Sequence, residues 1–178
     1  MKPGVNCGEN PWPGAGALPQ NASLANQHAP PLNAASQGVA PRPGALLVVI
    51  DTNIILDVFV FSDAAAKPVR QALEAGELDW VATQPMRDEL ARVLDYPQIV
   101  PRLNFYQLCA GDVLALFDRH ARLVQVAAKA RLNCSDPDDQ KFIDLAVASQ
   151  SLLLSKDRHV LSMAKRLLVH SVRAQAAL

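Results

Sequence analysis

Aromatic side chains are scarce in this sequence, 5% of 178 residues, although half of the chain is apolar. The apolar content is therefore mostly Leu, Val, Ile and Ala, a mix that suits buried parallel strands wrapped by helices. Cysteine is scarce too. Cys7, Cys109 and Cys134 are odd in number and far apart, which argues against a disulfide framework or a CxxC zinc site and fits free thiols in a reducing, cytoplasmic compartment. His28, His120, His159 and His170 are scattered and show no ligand spacing. No apolar run approaches the length that spans a bilayer, so no membrane partner is expected. The opening Met1-Lys2-Pro3-Gly4 leads into Asn, Pro and Gly, unlike a secretory signal. Net charge is also lacking: it is formally zero. Residues 1–44 carry only Lys2, Arg42 and Glu9, which leaves 15 basic and 16 acidic side chains in the remainder. Bulk electrostatic grip on nucleic acid is thereby excluded. A nucleic-acid substrate has to be argued from a local site.

What is present falls into two parts. Residues 1–44 hold eight of the thirteen prolines and six of the eight glycines, with no periodic apolar pattern. Such a segment cannot bury enough surface to offset its ordering entropy and is expected to be a disordered tail. Residues 45–178 are expected to form one domain. Leu46-Leu47-Val48-Val49-Ile50 is a continuous, β-branched apolar run, the pattern of a strand covered on both faces. The patterning then predicts helices over 68–74, 85–94, 105–119, 137–149 and 158–166, and strands over 78–82, 123–126, 151–154 and 167–170. Strands alternating with helices imply an α/β fold, a three-layer α/β/α domain around a mainly parallel sheet.

Four acids stand in revealing places. Ligands of open parallel sheets bind outside the carboxyl ends of the strands. Asp51 directly follows the first strand, and Asp157 lies just beyond Leu152-Leu153-Leu154. Glu89 stands on or beside the apolar stripe Met86, Leu90, Val93 of its helix, where a charge is expensive unless something pairs with it. Asp139 extends the face marked by Phe142, Ile143, Ala146 and Val147 back by one turn, where the helix dipole favours an anion. Four carboxylates around one crevice repel one another, and a divalent cation removes the conflict. Hard oxygen ligands select Mg²⁺ or Mn²⁺, which orient and acidify water and stabilise charge on a phosphoryl oxygen. Each acid also has a local alternative. Asp51 can cap the following helix, Glu89 can pair with Arg92, and Asp157 can be a turn residue. Asp139 can serve its helix dipole behind Asp136 as N-cap and Pro137 at the first helical position.

These residues resemble the motifs of PIN-domain proteins. Val49-Ile50-Asp51-Thr52-Asn53 resembles the family's opening acid-Thr-Asn turn. Glu89-Leu90-Ala91-Arg92-Val93-Leu94, followed by Pro97, is similar to the second motif of a branch of toxin components, the VapC-like ribonucleases. Asp136-Pro137-Asp138-Asp139-Gln140-Lys141-Phe142, with Ala146 beyond, is the most specific match, and Ser155-Lys156-Asp157 looks like the last motif. The resemblance runs over residues 46–172 with the motifs in family order. It implies a metal-dependent ribonuclease, the toxin of a toxin–antitoxin pair, with RNA as substrate, an antitoxin protein as partner and a homodimer as assembly. It carries Asp51, Glu89, Asp139 and Asp157 over as catalytic metal ligands for Mg²⁺ or Mn²⁺. Thr52, Asn53 and Ser155 carry over as polar groups that support them, and Asp136 as an outer contact.

One position departs from the pattern. Many relatives have a further Asp two residues after the last acid, where this chain has His159, and a neutral imidazole there would weaken the cation site or alter its metal preference. Arg87, Arg92, Arg102, Lys156 and Arg158 flank the acidic motifs and are candidates for phosphate contacts. Competing functions leave residues unexplained. A haloacid-dehalogenase phosphatase needs a second Asp two residues after the first, and Asn53 stands there. A receiver-like module phosphorylated on Asp could use Lys156 but has no role for Glu89 and Asp139. A PIN-like module that binds RNA or protein without cutting would use the same fold.

Overall fold

The computed structural model describes residues 39–178, so the tail expected over residues 1–38 lies outside the described residues. Strand β1 (Leu46–Ile50) has its last four residues buried, as its β-branched run requires. Helix α1 (Thr52–Phe59) follows at once, and its Ile54, Ile55, Leu56, Val58 and Phe59 are all buried. A helix apolar on nearly every side belongs inside the core rather than on its surface. A 3-10 turn at Ala64–Ala66 leads into α2 (Lys67–Glu74), β2 (Leu78–Thr83), α3 (Gln84–Leu94), α4 (Val100–Phe105) and α5 (Ala110–His120). Then come β3 (Ala121–Val124), α6 (Gln140–Ser149), β4 (Leu152–Leu154), α7 (Arg158–Ser162), α8 (Ala164–Leu168) and β5 (Ala174–Gln175). The five strands form one parallel sheet in the order β3-β2-β1-β4-β5. This is the α/β/α architecture with a parallel sheet that the sequence implies. The chain builds outward from β1 to β3, then returns to the other side of β1 for β4. The winding reverses between β1 and β4, and the carboxyl ends of strands at such a reversal are where ligands of open parallel sheets bind.

Trp80 on β2 is fully buried, edge-on to Phe117 of α5 at 4.7 Å between ring centroids and 6.4 Å from Phe59 of α1. Three of the chain's few aromatics thus join the sheet to its helices.

Several boundaries differ from the sequence reading, each for a local reason. The helix predicted over 105–119 is two helices, α4 and α5. Gln107 adopts a left-handed φ of 56°, and the Asp112 carboxylate accepts the Cys109 amide at 2.7 Å to start α5, a reciprocal cap that the apolar spacing does not reveal. Strand β3 begins two residues earlier than predicted, because Ala121 and Arg122 pair with Trp80 and Val81. Helix α6 starts at Gln140 rather than 137: the Asp136 carboxylate accepts the Asp138 amide at 2.9 Å and closes a turn there. Asp139 is therefore the residue preceding the helix. The strand predicted over 167–170 is the end of α8 and a turn, and the last strand lies at Ala174–Gln175. Val160, Met163 and Leu167 are buried at helical spacing, while Leu168 and Val169 are exposed, so a short apolar run concealed a period of three to four. Residues 39–44, counted with the tail in the sequence reading, are attached to the sheet: the Arg42 amide donates to Asp79 at 3.0 Å, and Arg122 donates to the Ala40 carbonyl at 3.1 Å.

Candidate active site

The first and last motifs are laced together across the β1–β4 junction. Ile50 and Leu154 are register partners, which places Asp51 and Ser155 side by side at the strand ends. Asp51 is almost fully buried. It precedes α1, yet its side chain makes no capping bond. Its Oδ2 instead accepts the Asn53 amide group at 2.8 Å and the Ser155 hydroxyl at 2.5 Å. Asn53 Oδ1 in turn accepts the Lys156 backbone amide at 3.1 Å, and Ser155 Oγ accepts that of Asp157 at 3.0 Å. One carboxylate and two small polar side chains thereby fix the geometry of two loops far apart in sequence. Asp157 precedes α7, and its Oδ1 accepts the His159 amide at 2.6 Å, so the capping role is real for this acid. His159 itself is exposed, with Nδ1 2.7 Å from the Ser135 hydroxyl.

Thr52 ties the second motif to the first. Its hydroxyl donates to Glu89 Oε1 at 2.8 Å, holding α3 against the start of α1. The other Glu89 oxygen forms an ion pair with Lys141, not with Arg92. Lys141 also donates to the Asp138 carbonyl and lies over the Phe142 ring, 4.8 Å from its centroid.

Asp139 is the least satisfied member. Its Oδ2 is buried and has no hydrogen-bond partner. Burial, then the negative charges of Asp51, Asp157 and Asp136, push its carboxyl up to about 7 against a partial offset from Lys141. Burial also raises the Asp51 carboxyl, with a contribution from Glu89; the bonds from Ser155 and Asn53 oppose the rise without cancelling it. Carboxylates that lift one another's proton affinity are close enough to share a field.

The basic residues are differently placed. Arg87 grips Asp118 of α5 with two bonds of 2.6 and 2.7 Å. The Lys156 ammonium sits 2.5 Å from Asp57 and 3.2 Å from Asp63. Arg158 is exposed. Two residues were missed by sequence reasoning. Lys141 sits inside the quoted third motif, and its lone positive charge beside the motif's three acids was the available signal. Gln140 braces the loop before α6: it accepts the Cys134 amide at 2.7 Å and donates to the Leu132 carbonyl at 2.9 Å and to Asp144 at 2.7 Å. Asp144 also accepts the Ala130 amide at 2.8 Å. No sequence signal marks that brace, because it connects one helical turn to an irregular loop.

The donor chemistry fits a hard divalent cation: all the candidate ligands are carboxylates, and one buried oxygen lacks a partner. Among the described residues, no three Asp, Glu, His or Cys side chains already stand in an arrangement that would hold an ion.

Asp51 and Asp157 thus follow β1 and β4 at one edge of a parallel α/β domain. A family model described as PIN domain matches residues 47–159, and the chain belongs to that family, whose members are generally nucleases. Among solved structures, the chain is similar to one from the crystal structure of VapBC2 from Rickettsia felis bound to a DNA fragment from their promoter. The identity is 12% and the TM-score 0.49, over 73% of this chain and 98% of that one. No curated protein matches.

Proposed function

We propose that this protein is a divalent-metal-dependent endoribonuclease that hydrolyses RNA phosphodiesters. The buried, partnerless Asp139 oxygen carries the reading. Asp57 Oδ2, also buried without a hydrogen bond, is met by the Lys156 ammonium, whereas no cation among the described residues meets Asp139 Oδ2, which leaves that atom for an incoming ion. Asp51, Glu89, Asp139 and Asp157 would hold Mg²⁺ or Mn²⁺. When bound, such an ion supplies an oriented, more acidic water and charge neutralisation at the phosphoryl group. The chain's own contribution is positional. Asn53 and Ser155 fix the Asp51 carboxylate, Thr52 fixes Glu89, the turn at Asp136 sets the start of α6, and exposed Arg158 is free to meet a backbone phosphate. RNA as substrate, a homodimeric assembly and a role as the toxin restrained by a cognate antitoxin are supported by the resemblance of the four motifs to the toxin branch. Among the described residues no helix is long and apolar enough to cross a membrane. We place the protein in the cytoplasm on its three widely spaced cysteines, which show no disulfide or CxxC spacing.

Asp51→Asn and Asp139→Asn are each expected to lower Mg²⁺- or Mn²⁺-dependent cleavage of single-stranded RNA by at least about 100-fold with the fold intact. Cleavage at the wild-type rate in both purified variants would leave the reading without a mechanism. Millimolar Mn²⁺ is expected to raise the melting temperature of the wild type, by about 2–3 kcal/mol of stability at a hundredfold excess over its dissociation constant. A flat titration would point instead to a binding module without turnover.

A further inference from the structure

Lys141 occupies a position that its own helix disfavours. It is the second residue of α6, where the positive end of the helix dipole repels a cation. Its side chain is nevertheless only 23% exposed, and that of its partner Glu89 17%. The ammonium lies between the Glu89 carboxylate and the Asp138 carbonyl, above the Phe142 ring. Glu89 is thereby neutralised on the half-buried stripe of α3 by a charge the chain itself provides, which answers the cost of an acid on that face. The same carboxylate is one of the four proposed to hold metal. With Oε1 held by Thr52, the oxygen a metal would need is the one Lys141 holds. An ammonium and a divalent cation brought to one carboxylate oxygen repel each other at contact distance, so each weakens the hold of the other. A lysine ammonium is also a compact charge on a flexible stem, able to change partners at little cost in geometry.

We propose that Lys141 is a tethered counter-ion of the site: its ammonium and an incoming divalent cation are alternative partners of Glu89, and this competition sets the metal concentration at which the site loads. The inference rests on the metal-dependent reading above. It assigns Lys141 as a positioning residue that holds Glu89 in the metal-free protein and yields it on loading.

Calorimetric titration of the purified full-length protein with Mn²⁺, without RNA, tests it. Lys141→Met is expected to bind Mn²⁺ about fivefold more tightly than wild type, the size of one partly buried ion pair no longer displaced. Lys141→Arg retains the pair and stays within about twofold of wild type, as does Lys165→Met, which removes an exposed positive charge outside the proposed site. Thermal unfolding in chelator gives the second readout: Lys141→Met melts below wild type without metal and gains more on adding Mn²⁺. If Lys141→Met does not fold, Lys141→Gln, which keeps a donor for Glu89 without the charge, is expected to shift affinity in the same direction. Unchanged or weaker binding in the neutral variant overturns the proposal, and so does equal tightening in Lys165→Met, which would trace the effect to bulk charge. If the wild type binds no Mn²⁺ at millimolar concentration, the metal reading itself falls and the proposal with it. Binding by the wild type with no gain in the variant sinks the counter-ion alone.

Discussion

Two aspartates at opposite ends of one sheet, one wholly buried and one with a single buried oxygen, are treated in opposite ways. Asp79, near the amino end of β2, is fully buried. It accepts two bonds from Arg122 on β3, at 2.6 and 3.3 Å, and the Arg42 amide at 3.0 Å, with the Arg42 guanidinium 3.6 Å away. Burial lifts its carboxyl, but Arg122 and Arg42 outweigh burial and leave it below the usual carboxylate range. Asp139, beyond the carboxyl ends, has a buried oxygen with no partner and acids for neighbours, and its carboxyl is pushed the other way. The chain can satisfy a buried acid when it needs one for structure. At the carboxyl end it supplies small donors to Asp51 and one lysine to Glu89, and leaves Asp139 unmet. The contrast separates an acid paired within the fold from one whose buried oxygen the fold leaves unpaired, the atom that the proposed cation would satisfy.

The largest expected effect that would break the contrast is on stability. Asp79→Ala strands the Arg122 guanidinium and frees the 39–42 segment, and is expected to cost about 3–5 kcal/mol, read as the midpoint of urea unfolding. A loss below about 1 kcal/mol would show that the cluster is a surface pair in energetic terms. Asp139→Asn is expected to move the metal-free protein in the opposite direction. Removing a charge that three other acids repel should add about 0.5–1 kcal/mol at pH 8, the usual sign of a residue kept for function at the expense of stability. Destabilisation comparable to that of Asp79→Ala would place Asp139 among the structural acids.

The difference between these two acids was only half legible in the sequence. Asp51, Glu89, Asp139 and Asp157 stood out because each sits at a strand end or on an apolar face, features that local spacing exposes. Which partner each would take was not legible. Glu89 was weighed against Arg92, three residues away, and it pairs with Lys141 on another helix. Asp79 was invisible inside an apolar strand, since its partner Arg122 lies 43 residues on. The sheet followed from continuous β-branched runs such as 46–50, which only a doubly covered strand would carry. The last strand did not, because Leu167-Leu168-Val169 is too short to reveal its period. Local pattern thus disclosed the elements and the acids, whereas ion pairs between distant segments needed the folded arrangement.

The smallest expected effect concerns pH, and it follows from the two opposite shifts. A carboxyl held below 3.8 in the folded state, as in Asp79, contributes stability that is present above the ordinary carboxylate range and is lost as pH falls through the folded value. A carboxyl raised from 3.8 to about 7, as in Asp139, binds its proton more tightly when folded, so stability falls as pH climbs from about 4 to 7 and levels off above. Asp51 is shifted in the same direction as Asp139. Without metal, the protein is therefore expected to be most stable in the mildly acidic range, between the loss of the Asp79 cluster below and the ionisation of the crevice acids above. Melting temperature followed from pH 4 to 8 in chelator should show that decline toward neutrality. Asp139→Asn should flatten most of it and leave a residue due to Asp51, and saturating Mn²⁺ should flatten it in the wild type, because a bound cation favours the ionised acids. Parallel profiles for wild type and Asp139→Asn would mean that Asp139 ionises without cost, and the distinction between the two ends of the sheet would rest on hydrogen bonding alone.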